Sequence, residues 1–108
     1  MGLESDLVPK LYEYLGIIVM FYSNEHEPIH VHGKYQGRES RAELVIRDGR
    51  VVDIIYSPIR GRRPLEGAQL LDFQTLVGRH ADDIVQKWID YFVLHRRVQP
   101  EIITRRIR

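Results

Sequence analysis

Three of the five histidines fall in one short stretch, Glu25-His26-Glu27-Pro28-Ile29-His30-Val31-His32. Neutral imidazoles are good ligands for zinc, nickel, copper or iron, and three of them with an open position is the pattern of a catalytic metal site. His30 and His32 stand two apart, so on an extended segment both side chains project from the same face. His26 precedes His30 by four residues across a turn containing Pro28, which completes a set of His26, His30 and His32. Glu25 and Glu27 could add a fourth ligand, orient a ligand, or act as a general base. Without a metal, the candidates for acid–base work are His26, His30, His32 and Glu25. A third reading stands beside these two: imidazoles next to glutamates also serve to hydrogen-bond a loop to itself.

The second chemical feature is positive charge. Arg60-Gly61-Arg62-Arg63, Arg96-Arg97 and Arg105-Arg106-Ile107-Arg108 are short basic clusters in a chain whose net charge is only +1. A guanidinium fork matches phosphate, so Arg60, Arg62 and Arg63 are the candidates for phosphate or nucleic-acid contact. Tyr22, Tyr35 and Tyr56 could stack on unpaired RNA bases. The bland alternative is a solvated basic face, diluted by 15 acidic residues. The two features are coupled by one geometric question. If His30 and His32 face a cleft shared with Arg60 to Arg63, function is favoured, and if they face the helices they are core.

Stepping from these residues to what must hold them, Gly16-Ile17-Ile18-Val19-Met20-Phe21-Tyr22 is rich in β-branched and aromatic residues and predicts a strand, led into by Leu11, Tyr12, Tyr14 and Leu15. After the polar loop Ser23 to Pro28, residues Ile29 to Tyr35 return extended. Gly37 with Arg38-Glu39-Ser40 suggests an interruption before a third strand over Arg41 to Arg47. Asp48-Gly49 then marks a two-residue hairpin turn into Arg50 to Tyr56. That register pairs Arg47 with Arg50, Val45 with Val52 and Leu44 with Asp53, the last an awkward pair for a buried face.

From Leu65 or Gly67 the period becomes helical, with Leu70, Phe73, Leu76 and Val77 on one side and Gly78 as the expected C-terminal cap. A second helix from Ala81 carries Asp82 and Asp83 at its positive end, His95, Arg96 and Arg97 at its negative end, and an apolar stripe of Ile84, Val85, Trp88, Ile89 and Phe92. His80 and His95 read as helix-end residues and Trp88 as core. Glu101 to Arg108 suits an added strand. The fold class expected is α+β: an antiparallel sheet of three to four strands in two hairpins, then two packed helices and a C-terminal strand.

One domain over residues 1–108 accommodates this, with residues 1–9 as a flexible arm. The chain has no cysteine, which excludes disulfides, iron–sulfur clusters and thiolate zinc sites. A divalent metal held by His, Asp or Glu is therefore the one cofactor these residues could support. No apolar run is long enough for a membrane span and the acidic start does not resemble a signal peptide, so a cytoplasmic protein is expected. There is no Gly-rich phosphate loop, nucleophile elbow or paired-carboxylate motif. An open sheet edge would make a homodimer feasible.

Gly16 to Tyr22 followed by His26-Glu27-Pro28-Ile29-His30-Val31-His32 and Tyr35 resembles the prokaryotic domain-of-unknown-function family 4160. Its pattern is an apolar strand, an acidic residue and His, one or two prolines, His-x-His before a Tyr, a β-rich middle and two helices ending in Trp. Glu25 takes the acidic position, Pro28 keeps one proline of a frequent pair where Ile29 departs from it, and His80 and Trp88 match the helical half. The likeness runs from Tyr12 to Phe92, and Tyr12-Glu13-Tyr14-Leu15 with the basic tail looks like a Bacteroidetes branch. The resemblance implies a toxin-like component of a two-protein toxin–antitoxin module, with a small antitoxin-like protein as partner and action on RNA or translation. It supplies no catalytic residues. A non-enzymatic binding or assembly module and a His-ligated metalloprotein are the competing readings.

Overall fold

A computed structural model describes residues 9–25 and 27–107. The arm expected over residues 1–9 lies outside that range apart from Pro9, which is buried and accepts the Phe21 N–H at 3.3 Å.

The chain forms β1 (Lys10–Tyr14), β2 (Ile17–Met20), β3 (His30–Tyr35), β4 (Arg38–Arg47) and β5 (Arg50–Pro58), then α1 (Gly67–Arg79), α2 (Ala81–Trp88) and β6 (Glu101–Ile103). The strands make one six-stranded sheet in the order β5-β4-β3-β2-β1-β6. All neighbours are antiparallel except β1 and β6, which run parallel. The sheet is thus larger than the three to four strands expected, and mixed. The C-terminal strand is present as β6.

The undercount has a physical cause in the turns. Three connections are two-residue hairpin turns with positive φ at both central residues: Leu15-Gly16 (50° and 87°), Gln36-Gly37 (46° and 79°) and Asp48-Gly49 (52° and 77°). Asp tolerates that region and announces its turn, whereas Leu and Gln do not. Leu11 to Leu15 therefore read as a lead-in rather than a strand. Gln36-Gly37 likewise read as a bulge region, and the third strand begins at Arg38 rather than Arg41.

At the Asp48-Gly49 hairpin the expected register holds for the first two pairs, Arg47 with Arg50 and Ile46 with Val51. A bulge between Ile46 and Val45 then shifts the partners, so that Val45 pairs with Asp53 and Leu44 with Ile54. The reason is the pleat: without the extra residue, buried Leu44 would lie opposite Asp53. With it, Ala42 and Leu44 share a face with Tyr56 and Ile54.

That face is the core. It carries Tyr12, Tyr14, Ile17, Val19, Val31, Ala42 and Leu44, covered by Phe73, Leu76 and Val77 of α1 and Ile84 of α2. Gly33 sits directly under α1, since a Cβ there would fall 2.6 Å from the Phe73 ring. Gly78 does not cap α1. The helix runs through Arg79, and His80 joins it to α2 with its N–H donated to the Leu76 carbonyl at 2.9 Å. Past Trp88 the second helix widens into a π-helical turn over Ile89–Val93 rather than continuing as α-helix. Phe21 packs there, 5.4 and 5.1 Å from the ring centres of Tyr91 and Phe92.

Polar ties fasten the outer elements to this core. Tyr12 Oη donates to Asp83, which also meets Lys87 Nζ at 3.1 Å, and Lys87 reaches Glu101 on β6 at 3.4 Å. Burial, then the bond and charge of Asp83, push the Tyr12 hydroxyl pKa far up. The tail closes with Arg106 bonded to buried Asp72 and the Ile107 N–H donated to Tyr14 Oη at 2.8 Å.

Candidate metal centre

The histidines belong to the other face of the sheet. Because Val31 and Gly33 point toward the helices, His30, His32 and Lys34 alternate onto the opposite side, across from Glu43, Arg41 and Glu39 of β4. The two described helices pack on the other, core side. His30 and His32 are nevertheless only 3% and 4% exposed, and Glu39 4%. The connection from β2 to β3 shields them, bringing Tyr22 and Glu25 over the strands: the Tyr22 ring meets His32 edge-on at 4.7 Å between centres.

The polar contacts within this cluster are specific. His30 Nδ1 lies 2.6 Å from the Pro28 carbonyl oxygen, and its Nε2 lies 3.2 Å from Glu25 Oε1. His32 Nδ1 lies 2.9 Å from Glu39 Oε2, and its Nε2 lies 3.0 Å from the same Glu25 Oε1. Tyr22 Oη donates to Glu39 Oε2 at 3.2 Å. One ligand atom each from Glu25, His30 and His32 lies within 4.8 Å of the others.

Counting protons exposes what is unusual. All four ring nitrogens face an acceptor, and a carbonyl or carboxylate oxygen can only accept. Two neutral imidazoles bring two protons between them. The Pro28 carbonyl requires one on His30 Nδ1, which leaves His30 Nε2 a bare lone pair facing Glu25. If His32 gives its proton to Glu39, its Nε2 is a second lone pair facing the same oxygen.

For His32 the surroundings favour the neutral form. Burial is the largest influence on His32 and, with the neighbouring His30, holds its pKa below the ordinary imidazole value despite the carboxylates beside it. Glu25 moves the other way in effect: partial burial pushes it up, but the bonds and charges of His30 and His32 outweigh this and hold its pKa below the usual carboxylate range. One Glu25 carboxylate oxygen and the Nε2 atoms of His30 and His32 therefore converge on one point, with each Nδ1 facing an oxygen behind it.

Of the residues singled out in the sequence, Glu25, His30 and His32 come together here. His26 lies outside the described residues. Glu39 was missed as a site residue because it reaches His32 only through strand pairing, seven positions along the chain. Tyr22 was read as a stacking platform, yet its hydroxyl serves Glu39. Of Arg60, Arg62 and Arg63, Arg62 brings its side chain to the cluster, with Nε 3.7 Å from Glu39 Oε1. Arg63 meets the sheet through its carbonyl, which accepts the Glu39 N–H at 2.8 Å, and Arg60 is exposed. The face thus does carry part of the basic loop, and it is turned away from the helices.

Fold and cluster together define a small α+β domain in which the sheet face away from the helices carries two buried histidines and a glutamate whose ligand atoms are close enough to hold a metal ion. Residues 16–89, more than half of the chain, match the family model described as Domain of unknown function (DUF4160), and the chain belongs to that family. No curated protein and no solved structure matches it. Among the described residues, no helix is long and apolar enough to cross a membrane.

Proposed function

We propose that this domain is a mononuclear metalloprotein that holds one divalent transition ion through His30 Nε2, His32 Nε2 and a Glu25 carboxylate oxygen. The observation that carries the reading is convergence: His30 Nε2 and His32 Nε2 lie 3.2 and 3.0 Å from one Glu25 oxygen, and neutral imidazoles whose Nδ1 protons are held behind them would turn both Nε2 lone pairs toward it. A cation between them turns that repulsion into coordination. The outer contacts fit as well, since a ligating histidine typically donates its other N–H to a carboxylate or a backbone carbonyl. Glu39 and Pro28 play those parts for His32 and His30.

Two histidines and one carboxylate suit Zn²⁺ or Fe²⁺ and leave coordination positions for water or substrate. The Glu25 side chain is 46% exposed, so the open positions lie on the solvent side. An ion there would act as a Lewis acid and lower the pKa of bound water to about 7, which supports hydrolysis at neutral pH. The toxin-like role implied by the family resemblance, with an antitoxin-like partner and action on RNA, is a proposal that this centre would serve as its working part.

Metal content tests the reading directly. Elemental analysis of protein purified without chelator or an affinity tag of histidines is expected to give close to one equivalent of a single transition metal, falling to background in His32→Ala and Glu25→Ala. Substoichiometric metal in the wild type that cannot be raised by reconstitution with Zn²⁺ or Fe²⁺ defeats it. For the toxin-like role, induced expression should arrest growth with the wild type and not with His32→Ala. Equal growth of both cultures discards that role while leaving the metal question to the elemental analysis.

A further inference from the structure

Beside the histidine cluster, on the same face, lies a recess of about 190 Å³ whose walls include Lys34, Arg38, Glu39 and Arg62. Its position follows from the sheet register. Lys34 and Glu39 are cross-strand partners near the Gln36-Gly37 turn, and the loop after β5, which the Arg62 N–H to Ile59 carbonyl bond at 3.0 Å closes into a turn, is tied to β4 by the Glu39 N–H to Arg63 carbonyl bond.

The charges in the recess are unbalanced in a particular way. Glu39 Oε2 is occupied by His32 and Tyr22, so only Oε1 faces the cations. Lys34 Nζ stands 4.0 Å from it and Arg62 Nε 3.7 Å, both too far for a hydrogen bond. Arg38 is better satisfied, at 2.9 Å from Glu66 and 3.2 Å from the Pro64 carbonyl. Three cations thus share two carboxylates, and Lys34, whose Nζ also lies 5.2 Å from the Tyr22 ring centre, and Arg62 flank the same Glu39 oxygen in the wall of the recess. The single carboxylate between them also holds His32 through its other oxygen, so its one negative charge is divided among these partners.

We infer that this recess is a phosphate-binding subsite, with Lys34 and Arg62 as its donors, and that it gives the neighbouring centre a phosphate-bearing substrate. The guanidinium fork of Arg62 can take two oxygens and the Lys34 ammonium a third. The inference replaces the trio Arg60, Arg62 and Arg63 expected from the sequence with Lys34 and Arg62, which tertiary structure brings together. For catalysis it rests on the metal reading, but anion binding by the recess does not, so the two can fail separately.

Isothermal titration calorimetry with inorganic phosphate and with the dinucleotide UpU tests it, on full-length protein in chelator and again after metal loading. Removing one charged donor of a small anion is expected to weaken binding by at least about tenfold. Arg62→Ala and Lys34→Ala should each show this loss, with Arg62→Lys intermediate because it keeps the charge without the fork. Arg60→Ala, of equal charge change, should bind as the wild type does. Circular dichroism confirms that the variants fold, and their metal content should equal that of the wild type. Binding of phosphate alone marks a free anion or a monoester as the ligand, and binding of UpU marks a phosphodiester. Absence of binding by both probes, or binding that Arg62→Ala and Lys34→Ala leave unchanged, overturns the inference. Phosphate binding in a protein that takes up no metal would uphold the subsite and sink the metalloprotein reading instead.

Discussion

Replacing His32 by alanine in the presence and absence of metal distinguishes a metal centre from a loop tied down by its own side chains. In the folded protein an ion at about 100 times its dissociation constant adds about 2.7 kcal/mol to stability. For a domain of this length each kcal/mol moves Tm by about 4–8 °C, so saturation should raise the melting point on the order of 10–20 °C. Loss of a group that merely orients a ligand weakens a metal site by about 10–100-fold, so loss of His32 Nε2 itself should cost at least the upper figure. At the same free metal the gain then shrinks to about 0.4 kcal/mol, a shift of only a few degrees. Without metal, His32→Ala still destabilises by about 1–3 kcal/mol, because Glu39 is left buried with the Tyr22 hydroxyl as its one hydrogen-bonding side chain in the cluster. The assay is thermal unfolding of both proteins in chelator and in Zn²⁺, Fe²⁺ or Co²⁺. A melting point that metal moves equally in wild type and variant, or in neither, would refute the proton-count reasoning.

Three further outcomes follow from the same geometry. Gly33→Ala drives a methyl into the fully buried Phe73 ring, 2.6 Å away, and should cost about 1–3 kcal/mol in chemical denaturation by overpacking the sheet against α1. Wild-type stability for that variant would show that α1 can slide. The metal-free protein should lose stability as pH falls below the ordinary imidazole value of 6.5, because His32 protonates readily in the unfolded chain but is held neutral by burial in the fold, and the loss should level off once the folded form also protonates. His32→Ala should flatten that part of a stability-versus-pH profile, and an unchanged slope counts against the neutral assignment. At the other end, the Tyr12 hydroxyl is held protonated in the fold, so stability should decline above pH 10 as the unfolded chain ionises, and Tyr12→Phe should remove that share of the decline while costing about 1 kcal/mol at neutral pH.

How much was legible along the chain can be followed residue by residue. The Asp48-Gly49 turn declared itself, because Asp and Gly tolerate positive φ, while Leu15-Gly16 and Gln36-Gly37 use the same geometry with residues that do not signal it. The helical period placed Phe73, Leu76 and Val77 on the buried side correctly. The bulge before Val45 could not be foreseen from the turn, since it answers a packing demand made by α1 and the core rather than by the hairpin itself. The same holds for β6, whose parallel pairing with β1 depends on where two helices deliver the chain.

The amino-acid sequence by itself determined that His30 and His32 share a face, because alternation in a strand is a local rule, and that Glu25 stands within reach across a short polar loop. It also excluded thiolate chemistry outright. Only the tertiary structure decided which face that is. Gly33 lies so close under Phe73 that the helices occupy one side of β3, which leaves the histidines on the other. Strand pairing then set Glu39 behind His32, and the loop after β5 carried Arg62, rather than Arg60 or Arg63, to the same carboxylate. Those partners are distant in sequence, and what brings them together is the register of β3 on β4, fixed by hydrogen bonds and core packing that no local pattern encodes.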